Sequence, residues 1–482
     1  MPSAYSPVIR LGAQDNVLVA RVGLAAGTRI EAENLTVAAD VPPGHKIAAR
    51  FIRRGEPILK EDAVIGFAAA DTGPGSHVNS EIVRFEPLPE PAYEFSRDFR
   101  PVELLPREQR ATFQGIVREN GDVATRNFIG VLVVGNCAAT AARKAADWFD
   151  EERLAEFPNV DGVVPFVHEI GCGMEMTGEP MDLLRRTLSG FIRNPNIAAA
   201  VVMALGCERN NLKSFLEQEK LAVGPKLRTV TLQEVGGVRN AVEHAKQMIQ
   251  EMLPEANNVT RQTVSAEHLR VGLQSGGADA FSGLSADPAL GAAVDLLVRN
   301  GGTAILSETP ELTGMGHLLA ARAASREVGE KLVGRLNWWK QYNAGKDTQL
   351  HGRVSRANQA GGIVNILEKS LGSGKKAGSS PLMGVYRYAE RVTDKGLVFM
   401  DTPAYEPVSV TGQIAGGATL IALTTGLGSS FGSLPAPTMK LASNSALYER
   451  MEDDMDVNCG LVVDGEASIE EMGRAIFEQL LR

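Results

Sequence analysis

Several short strings in this chain place reactive side chains directly after apolar runs. His168, Glu169 and Cys172 follow "VDGVVPFV" in "HEIGCGM". Asn136 and Cys137 follow "FIGVLVVG", and Cys207 and Glu208 follow "IAAAVVMALG". A thiolate is a soft ligand for iron or zinc and also a nucleophile. A histidine changes charge near neutral pH and can move a proton. A carboxylate directly after a buried strand is costly unless it is paired or holds a cation. That singles out Glu208 and, in "SETPE", Glu308; Asp279 in "SGGAD" and Asp401 in "FMDTP" share the placement. The residue types therefore point to metal binding and acid–base chemistry. The competing reading is that Cys, being small, simply fits tight strand-to-helix turns. None of the four cysteines, Cys137, Cys172, Cys207 and Cys459, has the CxxC spacing of a structural zinc site.

These side chains act together only if their elements bring them to one edge. Residues 128–135, 160–167, 197–206 and 227–233 are apolar runs of the kind buried on both faces of a parallel sheet. A helix is expected from Val238 to Met252. In open α/β sheets ligands bind beyond the carboxyl ends of the strands. Asn136, Cys137, His168, Glu169, Cys172, Cys207, Glu208 and Glu234 are thus expected on one edge. A further α/β block starts near 261, with strands in "HLRVGLQ", "GGTAILS", "KGLVFMDTP" and "GATLIALTTG"; "MKLASNSALYERM" and "MGRAIFEQLL" read as closing helices. Upstream, residues 8–84 are short strand-like runs between Gly and Pro turns, and 85–110 are rich in Pro and charge, as in an extended linker or wrapping arm. The boundaries expected are 1–86, 87–110, 111–260 and 261–482. "GSGKKAGSS" (372–380) reads as locally flexible.

Composition narrows the class. A net charge of −9 over 482 residues argues against a general nucleic-acid binder. No apolar run reaches the roughly 18 residues that span a bilayer, and "MPSAYSPVIRL" lacks the apolar core of a signal peptide. A cytoplasmic protein with reduced thiols is expected, with no membrane or nucleic-acid partner. "QSGGADAFSG" is glycine-rich but is neither GxGxxG nor a P-loop, so no nucleotide cofactor is expected.

The strings "DNVLVARVGLAAG", "GHKIA", "TRNFIGVLVVGNCAAT", "HEIGCGM", "LGCERN", "SGLSADPALGAAVDLLVRNGGTAILSETPE", "EKSLG", "KGLVFMDTP" and "MDVNCG" resemble the altronate and galactarate dehydratase family across nearly the whole chain. The resemblance implies an α/β protein with a small N-terminal β-clip domain of SAF type, followed by two parallel-sheet, Rossmann-like domains. It also implies metal-dependent dehydration of an aldonic or aldaric acid to a 2-keto-3-deoxy acid, by a homodimer or higher homo-oligomer. The chain departs from the family's His-rich "HVHxHN", which here reads His77-Val78-Asn79-Ser80-Glu81. It also lacks the usual Cys in the loop Gln274–Asp279 and near Phe431-Gly432-Ser433.

Dehydration removes a proton α to a carboxylate and expels the β-hydroxyl, so it needs a base, an acid and a positive charge against the growing dianion. On this reading Cys137, Cys172, Cys207 and Glu208 hold the metal, Fe(II) first, with Mn(II), Mg(II) or Ca(II) as substitutes. His168, Glu308, Asp279 and His77 carry protons, with His77 on a mobile lid. Arg126, Arg209, Lys440 and Asn136 bind the hydroxy-acid substrate. The alternatives are a C–S lyase acting on a sulfonated hydroxy-acid such as sulfolactate, and a paralogue that binds a hydroxy-acid without turning it over.

Overall fold

The computed structural model describes residues 6–87, 92–346 and 354–482. It is an α/β structure with a small β unit at the N-terminus. That unit pairs Val8–Ile9, Val17–Ala20, Lys46–Ala48 and His77–Val78 in one antiparallel sheet, and Pro57–Lys60, Ala63–Ala68 and Val83–Arg84 in another. Leu18, Ile47, Ile58 and Ile65 are almost wholly buried, one from each of four strands, which is what so short a set of strands needs to hold together.

Two parallel sheets follow. The first runs Gly162–Phe166, Phe128–Val133, Ile197–Ala204, Leu227–Thr231. Its two central strands are buried along nearly their whole length, so their apolar runs are continuous rather than alternating. The helix expected to end at Met252 runs Val238–Asn257 and carries Pro254 within it. The second sheet has seven strands in the order Leu382–Tyr386, Gly396–Met400, Thr303–Leu306, Arg270–Ser275, Leu420–Thr425, Thr438–Ala442, Val457–Asn458. Its core is shared with the helices Ala286–Arg299 and Ile469–Leu481, through residues such as Leu290, Leu297 and Ile476. The arm after residue 92 lies on this core: Tyr93 and Phe95 pack against it, and Leu105 N–H donates to Arg299 O at 2.9 Å.

Three local expectations are corrected. "MKLA", expected as helix, is the strand Thr438–Ala442, paired with Ile421–Thr425; the helix starts only after Asn444, whose side chain caps Leu447 N–H. A three-stranded antiparallel sheet (Val123–Ala124, Thr112–Val117, Arg261–Ser265) precedes and follows the first parallel sheet in the chain and was not anticipated. "GSGKKAGSS" is not a loose surface stretch. Gly374–Ala377 form a 3-10 turn with Lys376 and Ala377 buried. Gly378 sits at φ +58°, where a Cβ would stand 2.4 Å from Gly291 O, so only glycine lets the two backbones meet. The expected polar insert at 343–360 falls partly outside the described residues. Among the described residues no helix is long and apolar enough to cross a membrane.

Candidate active site at the strand ends

The carboxyl edge of the first sheet gathers the three cysteines at the ends of adjacent strands. Cys137 follows Phe128–Val133, Cys172 follows Gly162–Phe166 and Cys207 follows Ile197–Ala204; all three are free and exposed. Their polar neighbours are largely committed to the backbone. Both carboxylate oxygens of Glu208 accept from the turn before it, from Leu205 N–H and from Gly206 N–H (2.7 Å). His168 Nδ1 accepts from Ile170 N–H at 3.1 Å, so its Nε2 carries the proton and donates to Val133 O at 3.1 Å. Burial lowers the His168 pKa against the opposing pull of that carbonyl. Glu208 and His168 therefore help fix these turns as arranged. Asn136 packs under Gly171 and accepts from Cys137 Sγ at 3.6 Å.

The basic residues expected to bind substrate scatter. Arg126 precedes its strand and lies at the opposite, amino edge of the sheet, exposed. Arg209 is tied to Met174 O at 2.9 Å. Lys440 sits within the strand Thr438–Ala442, beside Leu423, and not at a strand end. Among the described residues, no three His, Cys, Asp or Glu side chains are arranged as a group that could hold a metal ion.

The carboxyl edge of the seven-stranded sheet is different. Glu308 follows Thr303–Leu306 and is buried at φ +65°, the left-handed region that a side chain adopts only when its surroundings impose it. Its N–H donates to Thr402 Oγ1 at 2.9 Å, which fixes the turn. Its Oε2 accepts from Ser275 N–H at 3.2 Å and lies 3.7 Å from Lys376 Nζ, which itself donates to Ser275 Oγ. Burial pushes the Glu308 carboxyl up to about 7, against the pull of Lys376 and with Glu311 adding to the rise. On the other side of the same turn stands Glu406. A Cβ on Gly276 would be 2.0 Å from Glu406 Oε1, so glycine is required for the carboxyl to reach there. Burial raises Glu406 as well. Two carboxyls with raised pKa thus flank the Ser275–Gly276 peptide. Lys369 pairs with Glu311 at 2.9 Å. Glu311 Oε2 and Gln274 Oε1 are buried acceptors without a hydrogen-bond donor among the described residues.

Of the residues expected here, Asp279 and Asp401 serve the frame. Asp279 Oδ1 accepts from Ser282 N–H and Oγ and from Ser443 Oγ, and its Oδ2 from Asn444 Nδ2. Asp401 Oδ1 accepts from Thr309 Oγ1 (2.6 Å) and Trp339 Nε1 (2.7 Å). Glu406, Lys369 and Lys376 were missed. Glu406 follows the strand-end string "FMDTP" by a few residues, and Lys369 lies in "EKSLG"; strand-end position alone would have found the first.

The N-terminal unit reaches the same edge. His45 Nε2 lies 2.9 Å from Ala360 O and so carries the proton; its Nδ1 accepts from His77 Nε2 at 2.8 Å. The lone pair of His77 is left on Nδ1. Gly361, next to that carbonyl, packs on Asp279, where its Cβ would be 3.0 Å from the Asp279 Cβ. His77 does not ride on a loose lid in this arrangement. The unit is pinned by Lys46 and Lys60, both buried, whose Nζ atoms donate to the buried Glu368 at 2.8 and 2.9 Å. Asn365 adds a bond to Ile65 O at 2.5 Å while capping the helix Ile366–Ser373.

Comparison with known proteins follows these divisions. Residues 6–86 match the altronate/galactarate dehydratase SAF domain, 115–257 the second domain of D-galactarate dehydratase/altronate hydrolase, and 266–482 the C-terminal domain of D-galactarate/altronate dehydratase. The chain is 31% identical to altronate dehydratase of Bacillus subtilis (strain 168), over 98% of this chain and 94% of that protein. It is 34% identical to altronate dehydratase of Escherichia coli (strain K12), over 95% and 91%. It is 35% identical to galactarate dehydratase (L-threo-forming) of the same organism, over 100% and 92%.

Proposed function

Since the chain belongs to the D-galactarate/altronate dehydratase family, we propose that it dehydrates an aldonic or aldaric acid to a 2-keto-3-deoxy acid at the carboxyl edge of the seven-stranded sheet. The observation that carries this reading is Glu308: a buried, backbone-fixed carboxyl poised near neutrality, with a second carboxyl and two lysines around it. Ionised Glu308 takes the α-proton, and the C–H electron pair becomes the enediolate. The Lys376 and Lys369 ammonium groups offset the second negative charge. The electron pair then expels the β-hydroxyl, which leaves as water with the proton of Glu406. The enol tautomerises to the 2-keto acid. Glu311 Oε2 and Gln274 Oε1 accept from substrate hydroxyls, which suits a polyol.

A divalent metal belongs to the proposal, Fe(II) first and Mn(II), Mg(II) or Ca(II) after it. Cys137, Cys172 and Cys207 are the donors that would have to come together to hold it: they end adjacent strands and soft donors suit iron, but among the described residues they are not preformed as a metal-binding group. When bound it would supply positive charge at the carboxyl edge of the first sheet. Cys172→Ser should lower the iron bound per chain after anaerobic loading and weaken the thiolate-to-iron absorption. Unchanged iron content in all three Cys→Ser variants would remove these thiols from the proposal.

The test of the reaction is a panel of aldonic, aldaric and sulfonated hydroxy-acids, with 2-keto product trapped by semicarbazide. Turnover of a sugar acid is expected; turnover confined to a sulfonated acid would instead make the chain a C–S lyase. Because Glu308 must be ionised to act, kcat/KM should rise with pH through about 7. A pH profile flat across roughly pH 6 to 8 would remove Glu308 as the base.

A further inference from the structure

A cavity of about 190 Å³ lies between the two parallel-sheet units. Arg186, Arg193, Arg270 and Arg391 line it, with Ser189 and Glu219. It sits at the amino ends of the strands, the edge opposite the proposed active site: Pro195 precedes Ile197–Ala204, Gly417 precedes Leu420–Thr425, and Arg270 begins its own strand.

The arginines around it are not paired alike. Glu219 pairs with Arg193 at 3.6 Å and also accepts from Ser189 Oγ at 2.6 Å. Asp122, outside the lining, takes Arg270 at 3.3 Å and Arg391 at 2.8 Å. Glu219 and Asp122 supply the ion pairs of Arg193, Arg270 and Arg391, while Arg186 feels Glu390, Glu219 and Asp182 only without direct pairing, with Arg387 opposing them. Arg186 is the least compensated. Its Nε donates to Tyr388 O at 2.7 Å, and among the described residues it makes no ion pair. The floor is small: Gly190, Ala389, Ala415 and Gly417 leave room beside the guanidinium forks. Planar guanidinium groups recognise carboxylate and phosphate oxygens by paired N–H donors.

We propose that this cavity binds a small dianion, a dicarboxylate or inorganic phosphate, which bridges the middle and C-terminal units through Arg186 and Arg391. Occupancy would give Arg186, on the helix Glu179–Ile192, the direct ion pair it lacks among the described residues and tie it to Arg391, on the far side of the interface.

The test uses the full chain, with thermal unfolding followed at constant ionic strength while inorganic phosphate or tartrate replaces chloride. A saturable rise in midpoint with at least one of the two is expected, and whichever gives it identifies the ligand's source. Arg186→Gln and, separately, the rim variant Arg391→Gln should each weaken that binding by at least about tenfold, the loss of one charge-assisted contact. Glu308→Gln should leave it intact, which separates this cavity from the active site and from the fate of the proposed reaction. No rise beyond that given by chloride, or a rise that survives both arginine variants, would overturn the proposal.

Discussion

Glu308→Gln is expected to cut turnover by about 10²–10⁴-fold while the fold is kept, the range typical of a lost general base. The substitution keeps the side chain's size in its buried place. The amide oxygen can still accept from Ser275 N–H, and the main-chain bond to Thr402 Oγ1 is untouched. What is lost is the negative charge beside Lys376 and, with Oε1 replaced by an amide nitrogen, the oxygen free to take the proton. The rise of kcat/KM through about 7 should vanish with it. Glu406→Gln should also slow turnover, whereas Asp401→Asn, whose side chain meets Thr309, Trp339 and Arg335, should act through stability. Rates measured beside circular dichroism of each variant make that separation.

Glu368→Ala is the largest expected stability loss, about 3–5 kcal/mol, the cost of breaking a buried ion pair from one side. It leaves the buried ammonium of Lys46 with only Gly362 O and that of Lys60 with the more distant Glu61 as partners among the described residues, and removes the acceptor that Val364 N–H uses at 2.8 Å. Replacing Lys46, Lys60 and Glu368 together by Met, Met and Leu should cost far less, because well-packed apolar groups of similar volume can replace a buried ionic cluster. The pH dependence has a definite sign. Burial alone would push the Glu368 carboxyl up, but Lys46 and Lys60 outweigh it and hold it at about 2 in the folded chain, below the ordinary 4.5. The stabilisation is present above 4.5 and is lost as pH falls towards about 2. Thermal or urea unfolding of the wild type and Glu368→Ala should therefore converge at low pH.

The fold class was legible because its signals are local. Runs such as "FIGVLVVG" and "IAAAVVMALG" are buried on both faces, and each ends where a turn residue must be. "MKLA" was misread because its strand pairing with Ile421–Thr425 is tertiary, while the helical string after it is local. The site was less legible, for a physical reason. A sequence shows which polar side chains stand at strand ends but not which of their atoms the backbone has already used. Glu208, His168, Asp279 and Asp401 all stand at strand ends, and all make hydrogen bonds that hold the frame together. Glu308 differs in having its own backbone fixed by Thr402 while its carboxyl keeps a lysine beside it; its raised pKa it shares with the buried Asp279. Lys376 was hidden for the opposite reason: "GSGKKAGSS" has the composition of a loop, yet its glycines allow backbone contacts that bury the lysine between them.

The most direct test of the central claim is proton NMR of galactarate and altronate incubated with the loaded protein in D₂O. Wild type is predicted to give a 3-deoxy-2-keto acid carrying solvent deuterium at C3, and Glu308→Gln to give neither that product nor exchange of the α-proton. A product formed equally fast by Glu308→Gln, or no turnover of any sugar acid by folded, metal-loaded wild type, would contradict it.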